Sequence, residues 1–308
     1  MSALRRSADD YLAVRRACGY ALRQDGRLLA SFLDHLERRG ASRITVDAAL
    51  AWATEPGHAK PVWWARRLTV VRGFARYLAT LDPDTEVPPQ DLLSHGSQRA
   101  KPYLYSSAQV ADLMCAARRL AHPLRAATFE TLIGLMATTG LRTGEVMRLD
   151  RGDVDFDDNV LAVLHSKHGK SRLVPLHPTA SAALTAYARR RDQLCPTPAA
   201  PAFFLSGAGT RLNHTNASTT FAGLLAAAGV VAPDGQRRPR LTDLRHSFAV
   251  AALVSWYADQ ADVPARLPAL SAYLGHASPA STYWYLEASA ELLSAAADRL
   301  ESWWPGLS

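Results

Sequence analysis

Cysteine is scarce in this chain: Cys18, Cys115 and Cys195 are scattered, odd in number and show no C-x-x-C spacing. No disulfide framework can be assembled from them, and no zinc site is indicated. Three reduced, mostly buried thiols are the expectation. Long apolar stretches are missing too, since no uninterrupted run reaches the roughly 20 residues that span a bilayer. The opening segment, MSALRRSADDYLAVRRACGYALRQDGR, is charged and lacks the apolar core of a signal peptide. A cytoplasmic protein without membrane segments is expected. There is no internal repeat, and no low-complexity tract beyond alanine-rich helices.

What is present is a folding composition with a basic surplus. With 48% hydrophobic and 20% charged residues, the chain is rich enough for packed cores and unlike a disordered protein. Its 308 residues suggest about two domains. Lys and Arg outnumber Asp and Glu by 35 to 28, a net charge of +7, which favours a polyanionic partner such as nucleic acid without establishing one.

From Tyr11 to about Leu81 the pattern is helical. Leu28, Leu29, Phe32, Leu33 and Leu36 recur at helical steps, and so do Trp63, Trp64, Arg67, Val70, Val71, Phe74, Tyr77 and Leu78. The second helix carries Arg66, Arg72 and Arg76 on its other face. They read either as an ordinary solvated basic side or as contacts to a phosphate backbone. Between Asp82 and Pro102, four prolines and a glycine with little apolar periodicity suggest a linker. The expected division is a helical domain over 1–95, the end of the linker over 96–102, and a second domain over 103–308.

Helical pattern resumes with SSAQVADLMCAARRL, where Ser106 or Ser107 can cap, and with FETLIGLMATTG, which ends at Gly140. The segment VDFDDNVLAVLHSKHGKSRLVPL alone reads as strands: a short strand, an acidic turn, a strand near Val160–His165, a turn at Lys167–Lys170 and a strand near Arg172–Leu176. After it, TASAALTAYARRR, NASTTFAGLLAAAG, LTDLRHSFAVAALVSWYA, the segment around Leu267–Leu274 and the tail with Leu292, Leu293, Ala296 and Leu300 are helical in pattern. The fold class is mainly α with a small antiparallel β-sheet, a helical N-terminal domain followed by an α+β domain.

Four strings in the expected second domain carry polar residues suited to phosphate chemistry: TGLRTGEVMRL at 139–149, SKHGKSRLVPL at 166–176, LTDLRHSF at 241–248 and LGHASPASTYWYL at 274–286. Each is weak alone. Arg142 could pair with Glu145 at a helix end, Lys167 could be a turn lysine, Arg245 a buried ion-pair partner, His276 a helix cap and Tyr285 a core tyrosine. Asp153, Asp155, Asp157 and Asp158 invite a metal-nuclease reading, but their spacing fits turn chemistry better. His165 and His168 flank Lys167 with no third ligand nearby, so no metal site is assigned.

Taken together, in order, type and spacing, the strings resemble the tyrosine recombinases, the family of phage integrases and chromosome-dimer resolvases. The resemblance covers about 103–300 and, more loosely, the N-terminal domain. Arg142 and Glu145 match its T-G-x-R-x-x-E string, and Lys167 its hairpin lysine before R-x-V-P-L. Arg245 and His246 match the end of H-x-L-R-H, and His276 the L-G-H string. The nucleophilic tyrosine follows that histidine by nine residues, which selects Tyr285 over Tyr283. The STYWYL wording is similar to integrases carried by transposon-like mobile elements. One position departs: Thr242 stands where the family usually has the first histidine of H-x-x-R.

The resemblance implies a catalytic set of Arg142, Lys167, Arg245, His276 and Tyr285, with Thr242, Glu145 and His246 as modulators. Two guanidiniums suit the charge that builds on a phosphodiester under attack. A hairpin lysine can protonate the leaving 5′-oxygen. Tyrosine can hold the 3′-phosphate covalently, so rejoining needs no ATP, metal or other cofactor. The implied reaction is site-specific cleavage and rejoining of double-stranded DNA, by a C-shaped clamp working as a homo-oligomer, a tetramer on paired sites, or with partner recombinases. Because of Thr242, the rival reading is an impaired or partner-dependent DNA-binding subunit.

Overall fold

The side-chain oxygens of Ser2, Thr45, Ser106, Asn213 and Asp262 cap the helices that follow them, and Gly140 and Gly275, both in the left-handed region, each close a helix. In the computed structural model, which describes residues 2–20, 22–93, 101–166, 170–276 and Thr282, the chain divides into two compact units, Met1–Ala100 and Lys101–Ser308.

The described residues of the first unit form α1 (Ala3–Ala17), α2 (Arg23–Arg38), α3 (Val46–Thr54) and α4 (Pro61–Leu78). Ser2 and Thr45 cap α1 and α3 through their hydroxyls, and Pro61 opens α4 where its missing N–H costs nothing. Most of the apolar stripe read from the sequence is core: Leu29, Phe32, Leu33, Leu36, Val70, Val71, Phe74 and Leu78 are buried, and Trp52 and Leu68 join them. Arg67 belongs to that inner face. Its guanidinium lies 3.9 Å over the Trp52 ring and donates to the Trp52 carbonyl at 2.6 Å.

The start of the expected linker is part of this unit. Glu86 donates its amide to the Ile44 carbonyl (3.1 Å), and its carboxylate accepts from the Val46 amide (2.6 Å). Arg72, only 6% exposed, donates to the carbonyls of Pro88 (2.8 Å) and Pro89 (2.7 Å). The prolines leave those carbonyls outside any ladder, and a buried guanidinium satisfies them.

The second unit contains α5 (Ser107–Arg118), α6 (Pro123–Thr139), α7 (Thr143–Arg148), α8 (Pro178–Leu194), α9 (His214–Ala227), α10 (Asp243–Ala258) and α11 (Val263–Leu274). Ser106 caps α5 in a capping box with Gln109. Helix α6 is the hub, packing against α5, α8 and α10 around Phe129, Leu132, Ile133 and Met136.

Strands β1 (Val154–Asp155), β2 (Val160–Val163) and β3 (Arg172–Pro175) form one antiparallel sheet in that order. Val154 faces Leu161, which in turn faces Val174, and all three are buried. In the acidic turn, Asp155 accepts the amides of Asp157 and Asp158 at 3.0 Å each, the turn chemistry expected of that run. Among the described residues no group of His, Cys, Asp and Glu could hold a metal ion, and no helix is long and apolar enough to cross a membrane. The cysteines depart from expectation: Cys18 and Cys115 are exposed and Cys195 is half-buried, all unpaired. Cys115 sits on the outer side of α5 and Cys18 just past the end of α1, where a small thiol needs no burial.

Candidate active site

The site is built around the C-terminal end of α11. The last carbonyls of a helix lack intrahelical partners and carry the negative end of its dipole. Gly275 turns the chain into the left-handed region (φ 68°). Its amide donates to the Ala272 carbonyl (2.9 Å) and the His276 amide to the Ser271 carbonyl (3.0 Å), the two bonds of a glycine cap. The next three carbonyls are taken by three arginines. Arg172 Nε donates to Tyr273 (2.8 Å), Arg245 Nη2 to Leu274 (2.8 Å) and Arg142 Nη2 to Gly275 (2.6 Å). Side chains from β3, α10 and the start of α7, far apart in sequence, meet on one turn of backbone.

Each arginine is held at a second point. Arg245, 4% exposed, also donates to the Gly140 carbonyl (2.8 Å) at the left-handed end of α6. Arg142 immediately precedes α7, and its Nη1 donates to Glu145 Oε1 (2.7 Å). Glu145, whose side chain is 1% exposed, accepts five hydrogen bonds. They come from the Arg142 amide (3.0 Å), Arg142 Nη1 (2.7 Å), Ser166 Oγ (2.6 Å), and Arg172 Nη1 (3.1 Å) and Nη2 (2.9 Å). Burial alone pushes this carboxyl up. The bonds from Arg172, Ser166 and the Arg142 amide outweigh it and hold the group down at about 2, so it is ionised at neutral pH.

His276 follows Gly275 directly. Its Nδ1 lies 2.7 Å from the Thr282 hydroxyl, which is itself buried. Burial, and then the charges of Arg245, Arg142 and Arg172, push the imidazole down to about 4. The ring is therefore neutral at physiological pH and fixed in orientation. Either partner of the Nδ1–Thr282 hydrogen bond can donate, and when Thr282 does so the ring proton sits on Nε2.

Of the residues expected from the sequence, Arg142, Glu145, Arg245 and His276 meet in this cluster. Thr242 is half-buried just ahead of α10, its carbonyl accepting the Arg245 amide at 3.3 Å, and His246 is half-buried one residue beyond Arg245. Lys167 and Tyr285 lie outside the described residues, as does the apolar tail with Leu292, Leu293, Ala296 and Leu300. In the first unit, Arg66 is ion-paired with Asp25 and Arg76 is exposed, whereas Arg72 points inward. The expectation of a single solvated basic face is thus corrected at Arg72. Sequence reasoning missed Ser166 and Arg172. The signal for Arg172 was the R-x-V-P-L string, in which the arginine had been given no role.

Comparison with known proteins agrees with this architecture. The family model of the phage integrase family matches residues 105–291. A Sinorhizobium fredii protein named integrase/recombinase y4rB is 43% identical over 99% of both chains. The tyrosine recombinase XerC of Mycobacterium leprae is 28% identical over 94% of this chain and 96% of its own. The fold matches a structure of the Tn1549 transposon integrase in complex with a circular intermediate DNA, with a TM-score of 0.67 and 17% identity over 95% of this chain and 99% of that one. It also matches a lambda integrase tetramer bound to a Holliday junction, with a TM-score of 0.61 and 17% identity over 92% and 76%. The chain belongs to the phage integrase family, the tyrosine-type site-specific recombinases, enzymes that cleave and rejoin DNA.

Proposed function

We propose that the arginine cluster at the end of α11 is the phosphate-binding half of the active site and that Tyr285 is the nucleophile. The observation that carries this reading is the convergence of Arg142 and Arg245 on adjacent carbonyls beside a neutral His276. Bracing by fixed carbonyls lets two guanidiniums meet the developing charge of a pentavalent phosphate without reorganising. Neutral His276 donates a hydrogen bond from Nε2 to a non-bridging oxygen.

In the first step the Tyr285 hydroxyl oxygen attacks phosphorus and gives up its proton. The bond to the 5′-oxygen breaks, and Lys167 protonates that oxygen. The products are a 3′-phosphotyrosine and a free 5′-hydroxyl, which attacks a phosphotyrosine in the reverse sense to rejoin a strand. Glu145 keeps Arg142 in place. Thr242 cannot act as a base near neutral pH, so the tyrosine proton leaves without the histidine usual in the family, and cleavage is slow but present. The reading of an impaired or partner-dependent DNA-binding subunit is not favoured, and the bracing of Arg142 and Arg245 supports an active site instead.

The substrate is double-stranded DNA, with Arg76 and Arg66 of the first unit meeting its phosphates. The active form is a homo-oligomer, four protomers on two paired sites, and the reaction takes place in the cytoplasm. The test is to incubate the protein with DNA flanking its own gene, in EDTA, and to examine the ends. Protein on 3′ ends, with 5′-hydroxyls that a polynucleotide kinase can label directly, is the expected product. Protein on 5′ ends, or cleavage that EDTA abolishes, contradicts the proposal.

A further inference from the structure

Ser166 and Arg172 lie on either side of Lys167 in the sequence, and both reach the same carboxylate. The arms are in register, with Val163 opposite Arg172. Beyond that pair, the Ser166 amide donates to the Lys170 carbonyl at 2.8 Å. From the first arm, Ser166 Oγ donates to Glu145 Oε1 (2.6 Å), with the serine 7% exposed. From the second, Arg172 forks onto both Glu145 oxygens (3.1 and 2.9 Å), while its Nε reaches the Tyr273 carbonyl (2.8 Å).

Two readings of this network differ in what it achieves. As a stability device it is poor, because desolvating a carboxylate and two guanidiniums offsets most of their attraction. As a geometric device it is efficient. A planar fork on a buried carboxylate fixes direction as well as distance, which a single lysine ammonium cannot do. Glu145 is also the residue that orients Arg142, so one carboxylate links Ser166 and Arg172 to the phosphate-binding arginine.

We propose that Arg172 and Ser166 are positioning residues for proton delivery: through Glu145 they register the two chain segments that flank Lys167, and with them the lysine, against Arg142. The proposal rests on the assignment of Lys167 as the acid that protonates the leaving oxygen. Neither residue touches the reacting atoms; each acts through Glu145.

The test uses two duplexes carrying the site mapped from the wild-type adduct, identical except at the scissile linkage. One has the ordinary phosphodiester. The other has sulfur in place of the 5′-bridging oxygen, and a thiolate leaves without being protonated. Single-turnover cleavage is measured for the full-length wild type, Arg172→Lys, Ser166→Ala and Lys167→Ala, each first checked by thermal unfolding. On the phosphodiester, Arg172→Lys slows cleavage by about tenfold or more and Ser166→Ala by a few-fold, partial losses of the roughly 10²–10⁴-fold that acid catalysis supplies. On the sulfur linkage both return to near the wild-type rate, as Lys167→Ala does. Should Arg172→Lys fail to fold, Ser166→Ala carries the comparison. Equal slowing on both linkages, or no slowing on either, overturns the proposal. If Lys167→Ala itself stays slow on the sulfur linkage, the assignment of the acid fails and the proposal falls with it.

Discussion

The guanidinium of Arg172 packs directly on Gly275: a Cβ added to that glycine would stand 2.7 Å from Nη1 and 2.8 Å from Cζ. Gly275 is also in the left-handed region, at φ 68°, where side chains are disfavoured. The glycine of the L-G-H string is thus required twice, once by its backbone and once by its neighbour.

Gly275→Ala should therefore cost at least about 1–2 kcal/mol from backbone conformation, with a further penalty for moving Arg172. The Gly275 carbonyl receives Arg142, so DNA cleavage should fall as well. Denaturant unfolding and adduct formation measure the two effects. An alanine variant with unchanged stability and cleavage would contradict the geometry at this turn.

His276 makes stability depend on pH. Its folded value of about 4 lies below the ordinary 6.5, so as pH falls from 6.5 the unfolded chain takes up a proton that the folded chain refuses. Folding free energy should drop through that window and level off below about pH 4. Glu145, held at about 2 against an ordinary 4.5, adds its own loss only below pH 4.5. Between pH 6.5 and 4.5, His276→Gln should flatten the fall in thermal midpoint seen for wild type. An identical slope in the variant would place the effect elsewhere.

The arginines of α4 should separate by salt dependence. Arg76→Ala should lower the slope of log affinity against log salt by about 1, the signature of one lost phosphate contact. Arg66→Ala should do less, since Asp25 competes for that side chain. Arg72→Ala should leave the slope alone and instead destabilise the first unit by about 1–3 kcal/mol, because it strands the Pro88 and Pro89 carbonyls. Binding titrations at several salt concentrations, alongside unfolding curves, resolve the three cases.

Restoring a base should accelerate the enzyme. A cavity of about 240 Å³ lies beside Thr242, lined by Thr143, His214 and Arg240 among others, and has room for an imidazole. Thr242→His should raise the single-turnover cleavage rate by up to about 10²-fold, the lower end of general-base assistance. No increase, in a variant that folds and binds DNA normally, would show that the tyrosine loses its proton by another route.

Local features were legible in the sequence where one residue determines the geometry. Ser106 and Gly140 bounded helices because a hydroxyl and a left-handed glycine each satisfy end groups. The Val154–Pro175 meander followed from its turn residues. Arg142 and Glu145 could be paired in advance, since three residues on a helix are neighbours. What could not be read were bonds over long separations. The link from Arg172 to the Tyr273 carbonyl spans 101 residues, and periodicity says nothing about it. Arg72 failed for a related reason: its helical phase matched the outer face, but the chain over 88–90 returns to cover it.

The central claim is that a phosphate is transferred to Tyr285. Wild type and Tyr285→Phe, incubated with DNA flanking the gene in EDTA and resolved on a denaturing gel, test it most directly. The expected result is a slowly migrating protein–DNA adduct in the wild type only, with both proteins binding DNA equally. An adduct that persists in Tyr285→Phe would contradict the assignment of the nucleophile, and wild-type protein that binds DNA yet never forms one would contradict the chemistry.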